Sequence, residues 1–173
     1  VGARAAIAPL RSLRGALGTQ LDPHTAWMIM RSMETLSLRM RKAAENAAQV
    51  AAFLRAHPKV QEVNYLGFLP EGDARAAVYR RQCSSAGSTF GFMIRGGEAE
   101  AFRLLDALQV IKLAVSLGGT ESLAEHPGTM THSDIPPERQ AELGITPAMI
   151  RLSVGVEHPE DLIADLAQAL EAV

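Results

Sequence analysis

The spacing of hydrophobic positions changes several times along the chain, and each change marks an element. From Ile7 to Gly18 the apolar residues recur at helical spacing, which predicts a short helix closed by glycine. Asp22 followed by Pro23 is a second start signal, an N-cap with proline at the first helical position. Helical periodicity then continues almost unbroken to His57-Pro58. Met33, Leu36, Met40, Ala43, Ala47, Val50 and Leu54 alternate by three and four residues and form one apolar stripe, while Arg39, Arg41, Lys42 and Glu45 form a solvated face. Roughly 33 residues at about 1.5 Å each would reach about 50 Å, longer than an ordinary globular helix. A kink or break near Ser32 to Ser37, or a helix bridging two domains, is therefore expected.

After Pro58 the period shortens. Val60 to Leu66 alternates as a strand with Val63 and Tyr65 on one face. Asp73 to Cys83 reads as a helix and Ser84 to Ser88 as a loop. Thr89 to Ile94, rich in aromatic and branched residues, is a strand closed by Gly96-Gly97. Glu98 to Leu108 is a helix, and Lys112 to Leu117 a short strand running into Gly118-Gly119. Glu121 to Thr146 contains Pro127, Pro136 and Pro137 and is expected to be irregular, with short helical turns around Leu123 and Arg139. Ile150, Leu152, Val154 and Val156 alternate with Arg151, Ser153 and Gly155 as a half-buried strand. Pro159 opens an amphipathic helix through Leu162, Leu166 and Leu170, with Glu160 and Asp161 in its first turn. Short strands separated by helices, without a phosphate loop, predict a two-layer α+β domain. Its sheet should be small, antiparallel or mixed, and covered by helices on one face.

Composition narrows the class. The chain has 173 residues, 47% hydrophobic and 21% charged, as expected of a soluble globular domain. A net charge of −2 gives no bulk attraction to nucleic acid or to an anionic surface, and no apolar run approaches the ~20 residues that span a bilayer. The single cysteine, Cys83, excludes an internal disulfide and a cysteine-rich metal site and fits a reducing cytoplasm. It follows Arg80 and Arg81 but is expected to be a buried structural thiol. The five histidines lack paired metal-ligand spacing, so no metal site is predicted. Trp27, Met28, Met30, Met33 and Met40 sit at helical spacing and are expected in the core. The opening is unusual: Val1 is not a start methionine, and Arg4, Arg11 and Arg14 precede the first acidic residue, a faint resemblance to a transit peptide. The preferred expectation is that the chain begins mid-domain, with a segment upstream.

Three places offer chemistry. Arg151 lies on a strand, opposite its apolar neighbours, where a guanidinium can bind a carboxylate through two parallel hydrogen bonds or simply face solvent. Ser116 precedes a double glycine at a strand end, as an exposed functional group or an ordinary turn serine. Thr131 and His132 occupy a long loop, of functional use or merely surface polar residues.

The segment Ala114-Val115-Ser116-Leu117-Gly118-Gly119-Thr120-Glu121-Ser122-Leu123 goes further. It continues as His126-Pro127-Gly128-Thr129-Met130-Thr131-His132, and then Ile150-Arg151-Leu152-Ser153-Val154-Gly155-Val156-Glu157. Together with Glu34-Thr35-Leu36-Ser37-Leu38-Arg39-Met40 and Glu45-Asn46-Ala47, this resembles the pyridoxal-phosphate (PLP) enzymes of cysteine and methionine metabolism over essentially the whole chain. These are the cystathionine γ-synthases, cystathionine γ-lyases, methionine γ-lyases and homoserine-ester sulfhydrylases.

The resemblance implies the C-terminal domain of a fold-type I PLP enzyme, entered by a long helix. Residues 1–35 would be the tail of an upstream PLP-binding domain with its connecting helix, and residues 36–173 the C-terminal domain. It implies that Arg151 clamps the substrate α-carboxylate, that Ser116 stands at the mouth of the site near the cofactor lysine, and that Thr131 lies in the same pocket. The implied activity is a γ- or β-elimination or γ-replacement that makes or breaks C–S bonds. Its substrate would be a sulfur-containing amino acid or an activated homoserine ester, in a cytoplasmic homotetramer.

One departure matters. The only lysines are Lys42, Lys59 and Lys112, none in the family's Ser-x-Thr-Lys context, so the Schiff-base lysine and most PLP contacts are expected in a missing N-terminal domain and this chain alone should be inactive. Val115 stands where cystathionine-handling members often carry glutamate, which leans toward methionine γ-lyase-like or sulfhydrylase-like chemistry. A stand-alone, non-catalytic α+β module that binds amino acids through Arg151 is the alternative.

Overall fold

Start and stop signals act where the sequence places them in the first part of the chain. In the computed structural model, which describes residues 2–173, helix α1 covers Arg4–Leu17 and ends at Gly18. Helix α2 covers Pro23–Met33, and the Asp22 carboxylate accepts the Thr25 amide at 3.0 Å, as an N-cap should. The helical path is interrupted at Glu34 and Thr35 and resumes as α3, Leu36–Ala56, inside the window where a break was expected. Val1, the expected mid-domain start, lies outside the described residues.

The chain divides into two units, one ending at Ser37 and the other running Leu38–Val173. Neither α1 nor α2 contains a buried residue. Trp27, Met28, Met30 and Met33 are each more than half exposed, which overturns their assignment to the core, and Met40 is half-buried. Helical spacing defines an apolar face but does not specify what covers it.

In the second unit the periodicities are satisfied by packing. Strands β1 (Val60–Asn64), β2 (Thr89–Ile94), β3 (Lys112–Leu113), β4 (Leu123–Glu125) and β5 (Met149–Ser153) form one sheet in the order β1-β2-β5-β4-β3. All pairings are antiparallel except β3 with β4. Helices α4 (Ala74–Gln82), α5 (Glu98–Ala107), α6 (Pro137–Glu142) and α7 (Pro159–Glu171) complete the unit.

Phe90 and Phe92 of β2 and Ile150 and Leu152 of β5 point into a core closed by Ala47, Val50 and Leu54 of α3, Leu104 of α5, and Leu162, Leu166 and Leu170 of α7. Burying each large side chain contributes about 1.5–3 kcal/mol. A one-residue slip of β5 would turn that set to the other face, so the core fixes the register and, with it, the outward direction of Arg151. The α+β class and the helix-covered sheet stand as expected.

Four local expectations need correction. The predicted strand from Lys112 to Leu117 keeps only two ladder residues. Ala114 still donates to the Ala124 carbonyl at 3.0 Å, but the next carbonyls turn toward Arg151 instead of a neighbouring strand. Leu123, expected in a helical turn, begins β4, which is too short to display a period of its own. The first strand ends at Asn64 rather than Leu66; Tyr65 is buried against Phe68 and Phe90, and Leu66–Phe68 forms a 3-10 turn. Cys83 is exposed rather than buried, because it caps α4 beyond the last packed turn.

Candidate functional site

Three strands bring the site together. Across the ladder Gly91 of β2, Arg151 of β5 and Glu125 of β4 are direct neighbours. Arg151 alternates with Ile150 and Leu152, which are fully buried, so it must leave on the opposite face. Gly91 presents no side chain on one flank. On the other, Glu125 Oε1 lies 2.7 Å from Arg151 Nη1. Opposite residues of an antiparallel pair meet this way through their strands alone. Glu125 is fully buried, whereas the Arg151 side chain keeps 19% of its surface accessible.

The loop after β3 holds the other side of the guanidinium. Arg151 Nη2 donates to the Val115 carbonyl at 2.7 Å and, at 3.4 Å, to that of Ser116. The side chains of Val115 and Ser116 are exposed beside it. Arg151 Nε makes no hydrogen bond among the described residues, so the cation is fixed on two sides and retains donor capacity. Thr131 enters through Glu125: its hydroxyl donates to Oε1 at 2.7 Å. With that proton committed, the Thr131 oxygen accepts from His132 Nδ1 at 2.9 Å.

Arg151, the Val115-Ser116 backbone and Thr131 therefore form one cluster, with His132 at its rim. The sequence reading did not single out Glu125, which links them. Its pairing is tertiary, and a single glutamate in Leu123-Ala124-Glu125 carries no local signal. The His126-Pro127 run beside it was the nearest clue. His126 is buried with Nε2 2.9 Å from the Pro147 carbonyl, which can only accept, so Nε2 carries the proton and Nδ1 receives the Thr129 hydroxyl.

The loop itself is anchored at several points. Gly118 sits at φ 75°, a left-handed turn suited to glycine, and donates to Ser153 Oγ at 3.0 Å. Val156 donates to the Thr120 carbonyl at 2.8 Å, and Gly155 donates to Ser122 Oγ at 2.8 Å. A Cβ on Gly155 would collide with the Thr120 carbonyl. Asn46, buried on α3, donates to the carbonyls of Gly155 and Glu157 at 3.0 and 2.7 Å, and the Glu157 carboxylate receives Ser122. Asp165 of α7 accepts the amides of Gln109, Val110 and Ile111, each at 2.9 Å, which sets the entry to β3.

Cavities of about 480 and 450 Å³ lie along β1 and α4, and one of about 410 Å³ borders α7. Arg151 lines none of these three, and its surroundings are defined by directed hydrogen bonds instead. No group of three His, Cys, Asp or Glu residues among the described residues is placed to hold a metal. Among the described residues, no helix is long and apolar enough to cross a membrane.

The Arg151 guanidinium suits an anionic oxygen group, a carboxylate or a phosphate. Lys59 Nζ donates to the Leu170 carbonyl at 2.9 Å and Lys112 Nζ to that of Gln109. Among the described residues, neither these nor Lys42, on α3, makes a hydrogen bond or ion pair with the Arg151 cluster.

Residues 2–171 match the family described as Cys/Met metabolism PLP-dependent enzyme. The chain belongs to this family. Within the Cys/Met-metabolism enzymes it is 42% identical over 163 residues to an L-methionine gamma-lyase of Pseudomonas putida, covering 94% of this chain and 40% of that relative. The crystal structure of a cystathionine gamma-lyase from Micromonospora echinospora superposes with a TM-score of 0.89 at 38% identity, covering 98% of this chain and 44% of that one. A putative O-acetylhomoserine (thiol)-lyase from Campylobacter jejuni, whose crystal structure holds a pyridoxyl-lysine monophosphate, matches with a TM-score of 0.83 at 38% identity, over 97% and 39% of the two chains. The chain thus spans about 40% of the length of the curated Cys/Met-metabolism relatives it matches.

Proposed function

We propose that this chain forms the substrate-carboxylate side of the active site in a PLP-dependent enzyme that makes or breaks C–S bonds in sulfur amino acids. The observation that carries the reading is Arg151: a guanidinium fixed by β5, Glu125 and two loop carbonyls, yet accessible and with Nε unengaged. A guanidinium held in this way binds a carboxylate through short, charge-assisted hydrogen bonds, worth about 1.5–3 kcal/mol. The bound α-carboxylate would place the α-carbon at the mouth of the site, beside the exposed Ser116. Thr131 steadies the arrangement without reaching the ligand. Val115, exposed and apolar at the same mouth, gives a distal ammonium no partner, which favours methionine-like substrates or homoserine esters over cystathionine.

PLP, when bound, supplies an electron sink for chemistry at the α-carbon. The lysine that carries it would come from a domain outside this chain, and family resemblance supports a homotetrameric assembly. The test is Arg151→Lys in the complete protein, which keeps a cation beside buried Glu125 but removes the planar fork. KM for L-methionine should rise about ten- to a hundredfold, the kinetic equivalent of 1.5–3 kcal/mol. Unchanged KM would remove the assigned role.

A further inference from the structure

Glu125 has an arrangement that a purely structural ion pair would not need. It is fully buried, Oε1 takes both Arg151 and the Thr131 hydroxyl, and Oε2 has no hydrogen-bond partner and no exposed surface. Burying a carboxylate costs several kcal/mol, and a pair with one oxygen unsatisfied recovers that poorly, so stability is a weak reason for keeping it. Oε2 is also closed to a ligand, so Glu125 can act on one only through a group it touches. Of the two groups it touches, the Thr131 hydroxyl has its proton committed to Oε1, which leaves Arg151, reached at a single guanidinium nitrogen, Nη1. One contact from Glu125 on Nη1 and the loop carbonyls on Nη2 hold the guanidinium on both sides without occupying Nε.

We propose that Glu125 is a positioning residue that aims Arg151 at the ligand carboxylate, and that Thr131 acts on the ligand only by holding Glu125. This rests on the reading of Arg151 as the carboxylate anchor. The pair also has no net charge, so the ligand is selected by the direction of the guanidinium's hydrogen bonds rather than by bulk attraction. Orientation and charge can be separated. Glu125→Gln keeps an oxygen that accepts from Thr131 and lies beside Arg151 Nη1 while removing the negative charge; Glu125→Ala removes both.

The experiment titrates the complete, cofactor-loaded protein with L-norleucine, an amino acid without a leaving group, and reads Kd by calorimetry, alongside kcat and KM for L-methionine. Glu125→Ala should raise the norleucine Kd and the methionine KM about tenfold, the effect of losing one charge-assisted contact's worth of alignment, with kcat changed far less. Glu125→Gln should restore both to within about threefold of the parent protein. Thr131→Val, at an exposed position, should raise Kd about two- to threefold and tests the proposal even if Glu125→Ala does not fold. An unchanged Kd in Glu125→Ala, or in Thr131→Val where the alanine variant does not fold, overturns the proposal. So does a Glu125→Gln protein as weak as the alanine variant, because charge rather than aim would then be responsible. Arg151→Lys, run alongside, tells the two readings apart. If it binds norleucine normally, the carboxylate anchor itself is wrong; if it binds weakly while the Glu125 and Thr131 variants do not, only the positioning role falls.

Discussion

The two faces of β2 and β5 are made by alternate residues of the same strands, yet they follow different rules. Inward, Phe90, Phe92, Ile150 and Leu152 are almost completely buried and interchangeable in kind: their contribution scales with apolar area. Outward, Gly91, Arg151 and Ser153 are not interchangeable. Gly91 leaves room, Arg151 presents a cation and Ser153 receives the loop at Gly118. The inward face needs only volume; the outward face needs particular atoms in particular places. A strand lets both coexist because its register, once fixed by the core, aims every outward group without further cost in order.

Substitutions on the two faces should therefore separate stability from binding. The largest effect is expected inside: Leu152→Ala should lower the unfolding free energy by about 2–5 kcal/mol in chemical denaturation, with ligand affinity of the folded fraction unchanged. Outside, Arg151→Lys should cost about 1.5–3 kcal/mol in amino-acid binding and little in stability. Arg151→Ala would blur this distinction. It leaves Glu125 buried without its cation, so a stability loss of about 3–5 kcal/mol should accompany the binding defect. The buried partner thus couples binding to stability in this variant.

Ser153→Ala, at the outer edge of β5, should cost about 1 kcal/mol, because the Gly118 amide loses its acceptor; the loop 115–119 should then show faster amide exchange than β5 itself.

The smallest effect lies on the helical side. Glu100 accepts the Gly97 amide at 2.9 Å and pairs with Arg103, and these contacts hold its carboxyl below the ordinary value near 4.5, the Gly97 amide being the larger cause. Its contribution is complete above that ordinary value and is lost as pH falls through the lower folded-state value. Glu100→Gln should flatten the acid limb of a stability-versus-pH curve slightly and leave amino-acid binding unaffected.

Much of this contrast was legible from the sequence, for a physical reason. β5 alternates over a long enough stretch for its two faces to separate by period alone, and Pro159 and Asp22 mark helix starts by local chemistry. Arg151, Ser116 and Thr131 could be picked out because strand faces, glycine turns and long loops constrain function locally. Glu125 could not, since β4 has three residues and its meaning depends on which strand lies beside it. Exposed Trp27 and its neighbouring methionines misled because periodicity reports a face and not its partner. Cys83 misled because exposure at a helix end is decided by the packing of α4, which no spacing encodes.

The most direct test of the account compares L-norleucine with L-norleucinamide, which differ in the carboxylate that Arg151 is taken to hold. In the complete protein the acid should bind at least about tenfold more tightly than the amide, and Arg151→Lys should abolish most of that preference. If the preference persists undiminished in Arg151→Lys, the carboxylate is held elsewhere and the account is contradicted.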